Sequence, residues 1–158
     1  MASAGYTVAV VGATTPAGSE LVRILDERNF PVRELLAFAA KGSLDKSTQY
    51  RDEGLPLQEL RPGSFKGADI SFFMADEKTS SEFARQAQAQ GSLVIDTTPF
   101  FRMDKNVPLV VPEINPHALE GHGGIIASPS PSTVQLVLAL APIHRKATVR
   151  RVVVSTYE

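Results

Sequence analysis

Cysteine and tryptophan are both missing from this sequence of 158 residues. The lack of cysteine excludes disulfides, cysteine-ligated zinc sites and a cysteine nucleophile. An excess of either charge is also missing, since 16 Lys and Arg residues stand against 17 Asp and Glu residues. Proteins that bind the phosphate backbone usually carry a basic excess or a basic patch, so no nucleic-acid partner is predicted. No metal site is predicted either.

Long apolar stretches are missing as well. No run approaches the roughly 18 apolar residues of a membrane-spanning helix, and residues 1–6 are too short and too uncharged for a signal peptide. These features predict a cytoplasmic protein that contacts no membrane. The hydrophobic fraction of 43% is ordinary for a globular protein, and the length predicts one domain over residues 1–158.

Short apolar segments recur along the chain, separated by amphipathic ones. The first, Tyr6–Val11, is rich in β-branched residues and stops at Gly12, as expected of a buried strand. Further strands are predicted at Leu35–Ala39, Asp69–Met74, Ser92–Asp96, Gly124–Ala127 and Arg150–Thr156. Strands that alternate with helices predict an α/β fold, with a doubly wound, mainly parallel, Rossmann-like sheet and helices on both of its faces.

Helices are predicted between these strands. The spacing of the apolar residues in Glu20–Asp26 puts them on one helix face. A second helix begins with a capping box over Thr79–Glu82, with Ser80 and Ser81 as alternative caps. A third is capped by Ser130 or Ser132, and Pro142 is predicted to end it.

Two stretches depart from this alternation. The polar segment 41–67 is predicted to contain a small hairpin that turns at Asp52–Gly54, between arms at Thr48–Arg51 and Leu55–Leu60. The chain stops inside a strand-like run at Glu158. A natural domain seldom ends there, so we expect a fragment of a longer protein, and the alternative is a C-terminal edge strand.

A glycine-bounded loop, Gly12-Ala-Thr-Thr-Pro-Ala-Gly18, follows the first strand and opens the first helix. A dinucleotide fold holds a pyrophosphate at this place, because glycine allows close backbone approach and helix N-terminal amides attract negative charge. The loop fits a G-x-x-G-x-x-G pattern except that Thr15 stands at the middle glycine. The alternative is a tight strand-to-helix turn with Pro16 at the first helical position.

Many segments in order along the chain are similar to aspartate-semialdehyde dehydrogenases. They are Val8–Thr14, Arg28–Leu35, Ser64–Ile70, Phe101–Asp104, Val107–Pro116, Gly124–Ala127, Ser132–Gln135 and Arg151–Tyr157. The sequence therefore resembles this family of amino-acid biosynthesis over nearly its whole length. The resemblance implies a nucleotide-binding domain that precedes a larger catalytic and dimerisation domain, which this chain would lack, and a homodimer formed through that missing domain.

The resemblance also implies a chemistry, the NADPH-dependent reductive dephosphorylation of aspartyl phosphate through a thioester on a cysteine. The family's nucleophile segment matches Ser128-Pro-Ser-Pro-Ser-Thr133, which puts Pro131 at the cysteine position. Proline has no nucleophilic side chain. Ser130 and Ser132 would each need a base, and His117, His122 and His144 form no recognisable nucleophile–base pattern with them. No catalytic residue is predicted.

The implied cofactor is NADP or NAD, and we expect its binding to be weak or absent. The candidate cofactor-binding residues are Gly12, Thr14, Thr15, Pro16, Ala17, Gly18 and Lys41. Ala40 and Gly42 stand where the family often has a Ser and an Arg for the 2′-phosphate. Asp76-Glu77 replaces a Gly-Gly pair, and its carboxylates would repel a pyrophosphate, unless they face solvent as an acidic pair at a helix start.

Two further positions correspond to substrate contacts in the family. Arg102 matches an arginine that contacts the substrate phosphate, and a guanidinium suits a bidentate oxyanion contact. The alternative for Arg102 is a salt bridge to Asp104 or Asp96. Glu158 matches a substrate-contacting glutamine, and its charge would repel an anionic substrate.

Together these residues predict a family member that has lost its catalytic cysteine and keeps a scaffold or regulatory role. The alternative is an NAD(P)-binding oxidoreductase that acts without cysteine. A third possibility is a sensor that binds a small ligand in the cleft at the carboxyl ends of the strands. No specific partner is predicted.

Overall fold

A parallel sheet forms the centre of the computed structural model, which describes residues 5–39 and 48–157. The strands are β1 (Tyr6–Val11), β2 (Val32–Ala39), β3 (Thr48–Tyr50), β4 (Glu53–Leu55), β5 (Leu57–Glu59), β6 (Ile70–Phe73), β7 (Leu93–Asp96) and β8 (Ile125–Ala127). Six of them make one sheet in the order β5-β2-β1-β6-β7-β8, and every neighbouring pair is parallel. The predicted fold class is confirmed.

The centre of this sheet is β1, which is buried on both faces. Val8, Ala9 and Val10 have no solvent-accessible surface. Val8 is paired with Leu35 of β2 on one side and with Ile70 of β6 on the other. A strand buried on both faces reads as a continuous apolar run, which is why this strand was recognisable in the sequence.

Helices cover both faces of the sheet. Helix α1 (Pro16–Glu27) covers one face and α2 (Glu77–Ala89) covers the other. Helix α3 (Pro131–Ala147) has no buried residue, and a 3-10 helix spans Pro116–Gly121. Val22 and Leu25 of α1 pack on the sheet face formed by Val8 and Val10. The opposite face packs against Ala84 and Ala87 of α2. On this face the ring of Phe65 is tilted against that of Phe38 and stacked on that of Phe73. Among the described residues, no helix is long and apolar enough to cross a bilayer.

Two predicted helix boundaries are wrong. Helix α2 starts at Glu77, because Asp76 rather than Thr79 caps it. Helix α3 runs through Pro142 to Ala147 instead of ending at the proline. A proline removes one backbone hydrogen bond, and here the carbonyl left without that bond belongs to Leu138, which is exposed enough to meet water.

The predicted hairpin exists, with its turn one position earlier. Strands β3 and β4 pair antiparallel, and Arg51 and Asp52 make the turn with φ of 53° and 61°. Positive φ at both central residues is the geometry of a tight hairpin turn.

The predicted strand over Arg150–Thr156 is wrong. This segment has no regular secondary structure and is exposed, and Val153 is 78% exposed. Its β-branched residues suit a strand, but none of the described strands pairs with it. Strand propensity cannot supply the pairing partner that a strand requires.

Candidate functional site

The loop between β1 and α1 has a geometry that requires glycine at both of its ends. Gly12 has φ of +85°, and a Cβ there would lie 2.8 Å from the carbonyl oxygen of Met74. A Cβ on Gly18 would lie 2.1 Å from the carbonyl oxygen of Gly12. The first turn of α1 therefore packs directly on the end of β1, as the glycines of a dinucleotide loop allow.

Thr15 caps α1 from within this loop. Its Oγ1 accepts a hydrogen bond from the Gly18 amide at 3.0 Å. The same hydroxyl lies 2.9 Å from the Gly12 carbonyl oxygen and 3.0 Å from that of Met74, and its single proton is donated to one of them at a time. Thr15 thus joins the helix start to the ends of β1 and β6, and Pro16 is the first helical residue, as predicted.

Two amides of this loop remain available to a ligand. In the part of the chain that the structure describes, the amides of Thr14 and Ala17 have no hydrogen-bond acceptor. The Gly18 amide is occupied by Thr15, and Pro16 has no amide proton. Amides at a helix start attract anions, so Thr14 and Ala17 are the donors that could meet a phosphate.

A cavity of about 410 Å³ lies beside the loop, at the carboxyl ends of the central strands. Thr14 and Thr15 form part of its wall, and the carboxylate residues Glu59 and Asp76 line it too. Its remaining lining residues are Val11, Gly12, Phe38, Ala39, Leu60, Ala75, Thr79 and Phe83. Apolar walls with a few polar groups are typical of a site for a small ligand, and this edge is where open α/β sheets bind theirs.

Asp76 combines the two roles considered for the acidic pair. Its Oδ1 accepts a hydrogen bond from the Thr79 amide at 2.9 Å, which caps α2. That hydrogen bond lowers the pKa of Asp76, so the side chain stays charged. Asp76 also lines the cavity, whereas Glu77 lies in the first turn of α2 and does not.

A second cavity, of about 490 Å³, separates α1 from the start of α3. Ala17, Met74, Thr97, Ser128 and Pro131 line it among others. Of the predicted cofactor residues, Gly12, Thr14 and Thr15 line the first cavity and Ala17 lines the second, whereas Pro16 and Gly18 line neither. Lys41 and Glu158 lie outside the described residues.

Pro131 is the first residue of α3 and is exposed. Ser130 caps this helix, with its Oγ accepting from the Thr133 amide at 3.3 Å. The Ser130 Oγ also lies 3.1 Å from the Ser132 Oγ and 2.8 Å from the Thr133 Oγ1. Both flanking serines are therefore engaged with each other and with the helix start.

Arg102 is held by backbone carbonyls. Its Nε donates to the Ser128 oxygen at 3.1 Å and its Nη2 to the Thr97 oxygen at 2.6 Å. Neither predicted salt bridge is present among the described residues, since Asp104 pairs with Arg85 at 3.0 Å. Arg102 fixes the loop after β7 to the end of β8, and Thr97 and Ser128 both line the second cavity.

The sequence reasoning missed the role of Asp96, which is completely buried at the end of β7. Its Oδ1 accepts from the Ser80 hydroxyl at 2.8 Å and from the Thr98 amide at 3.1 Å. Its Oδ2 accepts from the Thr98 hydroxyl at 3.0 Å. Burial raises the pKa of Asp96, opposed by these hydrogen bonds and by the charge of Arg102. The available signal was an Asp closing an apolar strand just before Thr-Thr-Pro.

Comparison with known proteins identifies the family. The pattern described as "Semialdehyde dehydrogenase, NAD binding domain" matches residues 7–122, most of the chain. The chain belongs to this family. An aspartate-semialdehyde dehydrogenase of Aquifex aeolicus (strain VF5) is 46% identical over 157 residues, which cover 98% of this chain and 46% of that protein. An aspartate-semialdehyde dehydrogenase of Bacillus subtilis (strain 168) is 43% identical over 154 residues.

Solved structures agree with this family assignment. The structure of aspartate semialdehyde dehydrogenase II from Vibrio cholerae, complexed with ASA, matches at a TM-score of 0.87 and 36% identity, over 93% of this chain and 49% of that one. The semialdehyde dehydrogenase family member described here thus has the family's NAD-binding domain. The chain spans about half the length of the curated relatives it matches.

Proposed function

We propose that this chain is a semialdehyde dehydrogenase-type nucleotide domain that does not perform the thioester chemistry and has a scaffold or regulatory role. The observation that supports it is Pro131, which begins α3 at the position where the resemblance puts the nucleophilic cysteine. The whole sequence contains no cysteine that could act instead. A second, larger domain and a homodimer formed through it belong to the same proposal.

The neighbouring hydroxyls do not replace the thiolate. A serine nucleophile needs a base within hydrogen-bonding reach. The Ser130 and Ser132 hydroxyls bond to each other and to Thr133. In the described residues no histidine bonds to either serine, and the ring Nδ1 of His122 accepts from the Gly124 amide instead.

Some residues of the first cavity suit a bound dinucleotide, and others disfavour its phosphates. Its apolar wall, with Phe38 and Phe83, suits a base, and the free Thr14 amide suits a phosphate. Against this, the charged Asp76 lines the same cavity, and Thr15 takes the Gly18 amide away from a ligand. These residues would hold a nicotinamide dinucleotide weakly, and when bound that group would supply hydride chemistry.

The test measures turnover and thiol chemistry together. The protein is purified together with the proposed second domain, as wild type and as Pro131→Cys. Both forms are assayed for phosphate-dependent NADP reduction with aspartate semialdehyde, and the Aquifex aeolicus relative serves as the active control. We expect both chains to stay at the baseline without enzyme, because Asp76 remains at the cavity. Turnover by either chain would overturn the proposal.

The Pro131→Cys variant also tests whether the start of α3 lowers the pKa of a thiol. A thiol at a helix N-terminus has a pKa below the ordinary value of about 8.5. We therefore expect iodoacetamide to label Pro131→Cys at lower pH than Ala139→Cys, which puts the only thiol in the exposed middle of α3. Equal labelling profiles would show that this helix start no longer activates a thiolate.

The retained glycine geometry at Gly12 and Gly18 favours a second candidate, an NAD(P)-binding oxidoreductase that acts without cysteine. Isothermal titration with NADP separates the two candidates. A dissociation constant in the low micromolar range would favour the oxidoreductase. A dissociation constant larger by on the order of a hundredfold would favour the scaffold or regulatory role, because it agrees with the loss of two charge-assisted phosphate contacts.

A further inference from the structure

A third cavity, of about 320 Å³, lies beside β2 and the β3–β4 hairpin. Val32 and Leu35 of β2 and Leu55 of β4 give it apolar walls. It shares no lining residue with the first two cavities. The first cavity meets the carboxyl end of β2, at residues 38–39, whereas this one meets the start of the strand. The third cavity is therefore separate from the proposed nucleotide site.

Two polar side chains at this cavity have no partner in the described part of the chain. The Tyr50 hydroxyl is buried and makes no hydrogen bond. Glu53, which the antiparallel register places opposite Tyr50, is exposed, and its carboxylate makes no hydrogen bond or ion pair with a described residue. Buried polar groups in proteins are nearly always hydrogen-bonded, so an unpaired one requires an explanation. A ligand in the cavity would supply the missing partner.

Two guanidinium groups line the same cavity and keep unused donors. The guanidinium of Arg51 lies over the Tyr50 ring, 4.9 Å from its centroid. Its Nε is 3.9 Å from the Asp26 Oδ1, which is too long for a hydrogen bond. Arg33 donates through Nη2 to the Thr7 Oγ1 at 2.8 Å. That bond fixes the Arg33 side chain and leaves its Nε and Nη1 without an acceptor among the described residues.

The cavity therefore presents both signs of charge beside apolar walls. A simple anion would be repelled by Glu53, and a simple cation would be repelled by Arg33 and Arg51. An uncharged apolar molecule would leave these charges unpaired. A zwitterion with an apolar side chain avoids all three penalties, and the volume lies at the small end of the range for ligand sites.

We propose that the third cavity binds an α-amino acid with an aliphatic side chain. Its carboxylate accepts hydrogen bonds from Arg51 and from the Tyr50 hydroxyl, and its ammonium group donates to Glu53. Its side chain packs against Leu35 and Leu55. Contacts between groups of opposite charge are the strong hydrogen bonds of proteins, so the two ends of the zwitterion fix its orientation.

The test measures the binding of radiolabelled L-leucine by equilibrium dialysis against the protein purified together with the proposed second domain. Two unlabelled competitors each lack one charge of leucine: isocaproate has no ammonium group, and isoamylamine has no carboxylate. We expect leucine to bind, and each competitor to need a concentration at least about tenfold higher than unlabelled leucine to displace it. The reason is that one charge-assisted contact is lost and the charge left in the cavity repels the competitor.

Substitutions then assign the two charges. Glu53→Gln should reduce the preference for leucine over isocaproate by roughly tenfold, and Arg51→Gln should do the same for leucine over isoamylamine. Tyr50→Phe should weaken leucine binding without lowering the Tm of the unliganded protein, because the hydroxyl has no partner there. Glu34→Gln is the control and should change neither preference, since Glu34 is an exposed acid of β2 that does not line the cavity.

Circular dichroism confirms that each variant is folded before its binding is measured. An absence of bound leucine on the folded wild-type protein would overturn this inference. So would preferences that Glu53→Gln and Arg51→Gln leave unchanged. Neither result bears on the nucleotide site, because the third cavity has its own lining residues.

Discussion

The negative charge of Asp76 favours one of its two roles and opposes the other. As the cap of α2 it accepts the Thr79 amide, and a negative charge at a helix start is favourable. As a wall residue of the first cavity it opposes an anionic ligand. The residue is therefore well suited to capping the helix, and its charge is unfavourable to a phosphate in the cavity.

A pair of substitutions separates these two tasks. Asp76→Asn keeps a good cap and removes the charge, so we expect an unfolding free energy close to that of wild type and several-fold tighter NAD binding. Asp76→Ala removes the cap as well, which should cost about 1 kcal/mol of stability. Urea denaturation and nucleotide titration measure the two effects. Unchanged NAD affinity in both variants would mean that Asp76 does not face the bound phosphates.

At this scale the sequence revealed the two glycines and the cap of α3, and it misplaced the cap of α2. Gly12 and Gly18 were predictable because a loop between a strand and a helix restricts both positions to glycine. The cap of α2 was misplaced by three residues, from Asp76 to Thr79, because several side chains near a helix start can accept an amide proton. Only the three-dimensional path of the backbone selects one of them.

Helix α3 is only weakly packed against the rest of the described structure. None of its residues is fully buried, and Leu138 and Ile143 are exposed by 38% and 53%. Its helical pattern was visible in the sequence, and its continuation past Pro142 was not. A proline in a helix costs stability without always ending the helix.

This arrangement makes the end of α3 locally unstable. Replacing Pro142 with Ala restores a backbone donor and removes the clash of the ring, a change of roughly 3 kcal/mol in helix propensity. We expect slower amide hydrogen exchange at residues 138–147 in Pro142→Ala and little change in the exchange of β1. Exchange at α3 equal to that of wild type would show that its end is held by contacts other than its own hydrogen bonds.

For the whole molecule, the sheet was the most predictable feature. Its central strands are apolar runs flanked by glycines and helices, and the burial of β1 on both faces explains why that signal is strong. The residues of the short β5, Leu57–Glu59, were predicted as part of the second arm of the hairpin, whereas they form a separate strand parallel to β2. Its position beside β2, which brings Glu59 to the cavity, depends on tertiary pairing.

The buried carboxyl of Asp96, at the end of β7, makes the stability of the domain depend on pH. Burial raises the pKa of Asp96 in the folded state. In the unfolded chain this pKa is about 3.9. At a pH between these two pKa values, the native state binds more protons than the unfolded chain does. The stability contributed by Asp96 is therefore fully present below about pH 3.9 and falls as the pH rises through the folded pKa.

The substitution Asp96→Asn removes this titration. We expect the unfolding free energy of wild type, relative to that of Asp96→Asn, to decrease as the pH rises from about 4 to 7. Thermal or urea unfolding over that range measures it. Asp76 has the opposite sign, because its lowered pKa gives stability that is lost as the pH falls, so each variant is compared with wild type separately. A relative stability that increases with pH would contradict the assignment to Asp96.

The main-chain contacts between residues 108–110 and β8 affect how this edge of the sheet meets other molecules. The amide of Ala127 in β8 donates to the Pro108 oxygen at 2.9 Å, and its carbonyl accepts from the Val110 amide at 2.9 Å. The outermost strand on this side of the sheet therefore already has both main-chain groups of Ala127 occupied. An incoming strand from another molecule finds no free main-chain group at Ala127, so edge-to-edge pairing is blocked at this residue.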